Sequence, residues 1–247
     1  MSFYFKVLTK YVLAPSFLLG ISSYDELEEK IKKLNSKEAE EILAWVRELN
    51  DDHIKKKLGI TKLLYHGSPQ KKIEKEGLQI TKGERSGFMG STRTVQNQGI
   101  FLTDSKRMAR FFGENRAENR SDAVVYEAFV KLGKVLDLTN PSSLSGPLKK
   151  LGLKLINEDE RISKTKLATK DVWKLLDMPD FTKTVKTEGY DTVRFKEEPH
   201  VNKASGEASS HTYMVFDPAN IILRNNEKNY KITSLQDVWE HLKGTAY

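Results

Sequence analysis

The chain contains no cysteine in its 247 residues, so disulfides and thiolate metal sites are excluded outright. That absence fits a reducing compartment, and a cytoplasmic location is the expectation. It also lacks any run near the roughly 18 apolar residues that a membrane-spanning helix needs, so no membrane partner is expected. The opening "MSFYFKVLTKYVLAPSFLLG" carries Lys6 and Lys10 inside its apolar stretch and no small-x-small cleavage site. It reads as the first buried segment of a folded domain rather than as a signal peptide. Phosphate-cradling signatures are missing as well: there is no P-loop, no dinucleotide-binding glycine fingerprint and no internal repeat.

What remains is the make-up of a globular protein, 38% hydrophobic and 30% charged. The formal net charge of +7 is uneven. Residues 1–60 hold ten basic and ten acidic side chains, so the whole excess lies in 61–247. A basic excess favours polyanionic partners such as NAD, nucleic acid or an acidic protein face.

The texture of the chain changes near residue 61. Tyr24–Asn50 alternates charge with apolar residues at helical spacing: Leu27, Ile31 and Leu34 on one face, Ile42, Leu43, Val46 and Leu49 on another. Ser23 and Ser36 stand where helix caps belong. Residues 1–60 therefore read as a helical N-terminal region whose role is packing or partner docking. From Lys62 onward, short β-rich runs appear at 62–67, 99–103, 124–132, 134–138, 190–195 and 212–217, each bounded by turn formers. Helical stretches lie between them at Gln70–Glu76, Ser105–Phe112, Thr169–Leu176 and Asp180–Glu188. Gly77, Gly113 and Gly189 sit at helix-ending positions. Residues 61–247 are expected to form one α+β domain. Segments 81–98 and 196–211 read as long loops of the kind that are usually functional or mobile.

Three blocks point to one site: "LLYHGSPQKKIEKEGLQI", "GIFLTDSKRMARFFG", and "GYDTVRF" with "HTYMVFDPANIILRN". In this order they resemble the ADP-ribosyltransferase superfamily, in its diphtheria-toxin and poly(ADP-ribose) polymerase branch, and most of all its compact bacterial and phage members. The resemblance covers about residues 62–224. It implies split antiparallel β-sheets with flanking helices, NAD+ as co-substrate without a metal, and transfer of ADP-ribose to a macromolecule. The acceptor would be nucleic acid, RNA included, or protein, in a toxin or antiviral defence effector restrained by an antitoxin or regulatory partner.

The chemistry asks for such residues. Cleaving NAD makes a cation-like ribose as nicotinamide leaves, so a site must hold the ring still and stabilise positive charge. His66 can bond a ribose hydroxyl, and a glycine at 67 lets backbone approach a flat amide. The resemblance implies that His66, Gly67, Ser68 and Thr103 contact NAD+. It puts Phe101 where the family carries a tyrosine, keeping the ring without its hydroxyl. Phe111 and Phe112 both qualify as the second platform. Arg93 and Arg85, on the loop before the second strand, could meet the pyrophosphate or an anionic acceptor.

The late strand departs from the pattern. Where the family has a glutamate that bonds the ribose 2′-hydroxyl, this chain has Thr212, which brings no charge. Three alternatives follow. The acceptor assists a transferase that works without the carboxylate; or Glu207, less readily Glu197 or Glu198, swings in from the preceding loop; or the domain is an inactive NAD- or ADP-ribose-binding module acting through partners. Chain-elongating poly-ADP-ribosylation is disfavoured in all three. His211 is a further candidate base, and Asp191 in "GYDTV" reads as a turn cap.

Overall fold

A computed structural model of the chain describes residues 18, 20–59, 61–69, 73–80, 85–86, 92–93, 99–140, 144–158, 172–176, 178–197, 199–224 and 231–245. They fall into two compact units, one running to Lys57 and resuming at Glu227, the other Leu58–Asn226.

The first unit is helical. Helix α1 (Tyr24–Lys32) starts at Ser23, whose hydroxyl accepts from the Glu26 N–H. Helix α2 (Ser36–Leu58) is capped one residue earlier than the sequence suggests. Asn35 accepts from the Glu38 N–H, and Glu38 accepts in return from the Asn35 N–H, a reciprocal capping box. Leu27, Ile42, Trp45, Ile232 and Val238 form this unit's core. Leu43, expected on the apolar face, is 57% exposed because Ile42, Trp45, Val46 and Leu49 hold the packed stripe and Leu43 falls off it. The C-terminal helix packs here too. Asn50, buried, donates to the Ile232 carbonyl (2.9 Å) and accepts from the Lys231 and Ile232 N–H groups (3.0 and 2.9 Å). The end of the stretch read as 61–247 thus contributes its helix to the first unit.

The second unit is built on one seven-stranded sheet. Its strands are β1 (Lys62–Ser68), β4 (Ile100–Thr103), β5 (Val124–Val130), β6 (Val135–Asp137), β7 (Thr192–Lys196), β8 (His211–Val215) and β9 (Ile221–Leu223), in the order β6-β7-β8-β4-β1-β5-β9. A separate ribbon pairs β2 (Arg85–Ser86) with β3 (Thr92–Arg93). The α+β class and the split sheet of the expectation are present. One detail differs: β6 and β7 run parallel, because three helices intervene between them and allow a crossover. These are α5 (Gly146–Glu158), α6 (Val172–Leu176) and α7 (Pro179–Thr187).

The split lies between β1 and β4, which share only the Tyr65↔Thr103 pair. The strands on either side are paired at length, seven residues of β1 with β5 and four of β4 with β8. Period-two alternation sends side chains to two cores. Val193, Phe195 and Met214 pack under α5–α7 with Leu148, Leu175, Phe181 and Val185, while Leu64, Ile100, Leu102, Tyr126, Tyr213 and Val215 form the other.

Two short helices complete the unit, α3 (Ile73–Glu76) and α4 (Lys106–Glu114). Inside the expected 196–211 loop sits another, α8 (Pro199–Ser205), and the C-terminal helix of the first unit is α9 (Leu235–Thr245). Gly77 and Gly189 end their helices at φ +77° as expected, whereas Gly113 lies inside α4.

Candidate active site

The sheet's seam is where the three sequence blocks meet. Helix α4 lies across it, its N-terminus capped by the Ser105 hydroxyl, which accepts from the Met108 N–H at 3.1 Å. Its backbone presses on β1 at Gly67. A Cβ there would stand 1.6 Å from the Ala109 carbonyl oxygen and 2.9 Å from the Gly113 nitrogen. This is a correction to the sequence argument: the direction a side chain would take at 67 is filled by the helix, so glycine is required for strand–helix contact whatever else its backbone meets. Gly113 answers the same need from the helix side, since its own Cβ would lie 3.1 Å from the Ser68 nitrogen. That is why it lies inside the last turn of α4 rather than beyond its end. Ser68, buried, is held between α4 and its β5 partner Val124.

A cleft opens on this face, lined among others by Tyr65, His66, Phe101, Thr103, Phe112 and Thr212. His66 Nδ1 lies 2.8 Å from the Phe101 carbonyl oxygen across the seam. A carbonyl only accepts, so Nδ1 carries a proton and the ring is oriented by this bond. Six of the expected residues, His66, Gly67, Phe101, Thr103, Phe112 and Thr212, from β1, β4, α4 and β8, therefore share one cavity. Of the two phenylalanines, Phe112 faces it; Phe111 packs edge-on against Phe112 at 5.9 Å and is not among the lining residues.

Sequence reasoning missed five lining residues, Tyr65, Leu102, Ala109, Arg116 and Trp173. The Trp173 ring lies 5.2 Å from that of Phe101, tilted by 33°, and 4.9 Å from Phe195, edge-on. It enters from α6, five residues long with no periodicity to read, so only its being an indole could have flagged it. Tyr65 pairs in register with Glu127, which holds Lys106 (3.1 Å) and Arg224 (2.8 Å). Burial pushes the Glu127 carboxyl up, but hydrogen bonds from Lys106 and Arg224 outweigh it and hold the group below the ordinary carboxylate range.

The expected carboxylates are placed differently from one another. Glu207 accepts from the Ser105 hydroxyl at 2.6 Å, fastening the segment after α8 to the start of α4, and it does not line the cleft. Its position is that of a clamp on the helix cap. Glu197, completely buried at the end of β7, accepts the hydroxyl proton of Thr212. Glu198 lies outside the described residues. His211 is directed by strand alternation away from Thr212, and its Nδ1 lies 3.1 Å from Asp104 Oδ2. Asp191 accepts from the Lys134 N–H at 2.8 Å, the turn cap it was read as. Arg85 and Arg93 are placed by backbone alone, on the β2–β3 ribbon, and their side chains lie outside the described residues.

The lining combines aromatic side chains at Phe101, Phe112 and Trp173 with hydrogen-bonding groups at His66, Thr103 and Thr212. Comparison with protein families matches residues 56–229 to a family described as "ADP-Ribosyltransferase in polyvalent proteins". No curated protein and no solved structure matches the chain.

Proposed function

Given that the chain belongs to the family of ADP-ribosyltransferases in polyvalent proteins, we propose that it transfers ADP-ribose from NAD+ to a macromolecular acceptor, one modification per site. The observation that carries this reading is the convergence of His66, Phe101, Phe112 and Thr212 on a single cleft at the sheet's seam.

The residues divide the work by their chemistry. Phe101 and Phe112 offer faces that hold the nicotinamide ring against rotation, and Trp173 backs Phe101. His66, its ring oriented by the Phe101 carbonyl, bonds a ribose hydroxyl. Thr212 accepts from a second one. Fixing the sugar in this way lowers the cost of reaching the cation-like geometry in which the bond to nicotinamide breaks.

The basic excess of residues 61–247 favours nucleic acid as the acceptor. An effector that consumes NAD+ inside a cell needs restraint, and the helical unit is the surface we assign to a restraining partner. We read the protein as a cytoplasmic toxin or antiviral defence effector.

Thr212 in place of a carboxylate favours one competing reading, a module that binds NAD+ or ADP-ribose without cleaving it. The discriminating experiment incubates the protein with labelled NAD+ and cell lysate, then treats the products with nuclease or protease. Label released by nuclease is the expected result, and label released by protease moves the acceptor to protein. Calorimetric NAD+ binding with neither label transfer nor nicotinamide release would establish the silent module instead.

A further inference from the structure

Thr212 lacks the charge that the reaction calls for, yet its hydroxyl is not isolated. Strand β7 runs beside β8 with Phe195 opposite Thr212 and Lys196 opposite His211. Two residues beyond Phe195, Glu197 returns to the same face of the sheet as Thr212, its N–H donating to the Ser210 carbonyl at 3.0 Å. The carboxyl group is fully buried and accepts a hydrogen bond from the Thr212 hydroxyl, and Thr212 also lines the cleft. A buried carboxylate is costly unless bonded, so its placement one hydrogen bond behind a cleft-lining hydroxyl asks for a reason.

The surroundings hold it there. Asn202 of α8, itself buried, donates from Nδ2 to the Glu197 carbonyl at 3.1 Å and accepts the Ser210 hydroxyl on Oδ1 at 2.8 Å. Asn202 thereby ties the Glu197 backbone to Ser210. The far end of the 197–210 segment is tied to α4 by Glu207 on Ser105 and by Arg107 on the Gly206 carbonyl at 3.3 Å.

A hydroxyl has one proton to give. With that proton committed to Glu197, only the lone pairs of Thr212 Oγ1 remain for a ligand, so it accepts and does not donate. We infer that Glu197 is a positioning residue that makes Thr212 an obligate acceptor for the ribose hydroxyl and supplies, one bond further back, the negative charge Thr212 lacks. This rests on the transferase reading and deepens it. The bond from the ribose C1′ to nicotinamide breaks with its electron pair leaving on nicotinamide. The acceptor's lone pair, or water's, forms the new bond at C1′, and its proton passes to solvent. Glu197 keeps its charge throughout and steadies the positive sugar through the polarised Thr212 hydroxyl.

The test is steady-state nicotinamide release from NAD+ by the full chain. E197Q keeps a carbonyl that can accept from Thr212 but removes the charge. It should lower kcat about 30- to 100-fold, with KM for NAD+ within about twofold and an unchanged melting temperature. T212S keeps the hydroxyl but loses the methyl group, and should retain more activity than T212V. T212V breaks the link, and E197Q/T212V should be no slower than T212V alone, because the charge acts only through the hydroxyl. Should E197Q fail to fold, E197D keeps the charge on a shorter arm and should retain more activity than T212V. Wild-type turnover with E197Q unchanged, or additive losses in the double variant, overturns the inference alone. A wild type that binds NAD+ and releases no nicotinamide overturns the transferase reading, and this inference with it.

Discussion

Replacing Gly67 by alanine adds one methyl group at the point where the active-site helix meets the sheet. That methyl would stand 1.6 Å from the Ala109 carbonyl oxygen, 2.6 Å from its carbon and 2.9 Å from the Gly113 nitrogen. All three are backbone atoms of α4, so no side chain can swing aside. A carbon needs roughly 3 Å or more from a carbonyl oxygen, and α4 must therefore retreat by about 1.4 Å or peel from β1. Overpacking of this kind costs about 1–3 kcal/mol when neighbours yield, and a helix backbone yields poorly, so about 3 kcal/mol is the expectation. For a unit of this size that lowers the melting temperature by roughly 6–12 °C. A displaced α4 also carries Phe112 out of register with Phe101, and nicotinamide release should fall about 100-fold, the penalty of a misplacement near 1 Å. Gly189 is the control: its φ is +77° with nothing within 4 Å of a Cβ, so G189A costs only the strain of the left-handed backbone, about 1–2 kcal/mol, and leaves the cleft intact. Calorimetric unfolding and the nicotinamide assay read both effects. A G67A protein that melts within 2 °C of wild type and turns over normally would refute the contact on which this reasoning stands.

The two phenylalanines should separate in binding: F112A weakens NAD+ affinity about tenfold by calorimetry, the worth of one aromatic face, while F111A stays within about twofold. Glu127 gives a pH dependence. Its carboxyl is held below its ordinary value in the folded state by Lys106 and Arg224, so its stabilising contribution is complete above the unfolded value of about 4.3 and is lost as pH falls through the lowered one. E127Q should flatten that acid limb of the stability curve measured by denaturant unfolding, and an unchanged limb would contradict the assignment.

Six of the seven strands of the sheet were legible because each is a short run of β-branched and aromatic residues cut off by turn formers, the late "TYMVFD" run most clearly, while the three-residue β9 was too short to read. Helix α5 escaped because "GPLKKLGLKLINE" carries proline and two glycines, which read as a break even though Leu148 is buried. Helix α8 escaped for a similar reason, a seven-residue turn inside a polar stretch. At the site, His66, Phe101 and Thr212 carry their own motifs, whereas the partner of Thr212 does not. Nothing local ties Glu197 to it; only the register that sets Phe195 against Thr212 brings them together. Likewise the demand for glycine at 67 is met by a helix 42 residues later in the chain, a contact that no periodicity encodes.

The seam at Tyr65↔Thr103 has a meaning beyond the placement of side chains. A strand that loses its neighbour has an edge, and edges on the outside of a sheet invite other chains to pair with them. Here both edges are turned inward to face each other, with α4 laid across them and the flanking strands paired on the far sides. The protein thus keeps these edges within its own fold, screened from edge-to-edge pairing by the same helix that shapes the cleft.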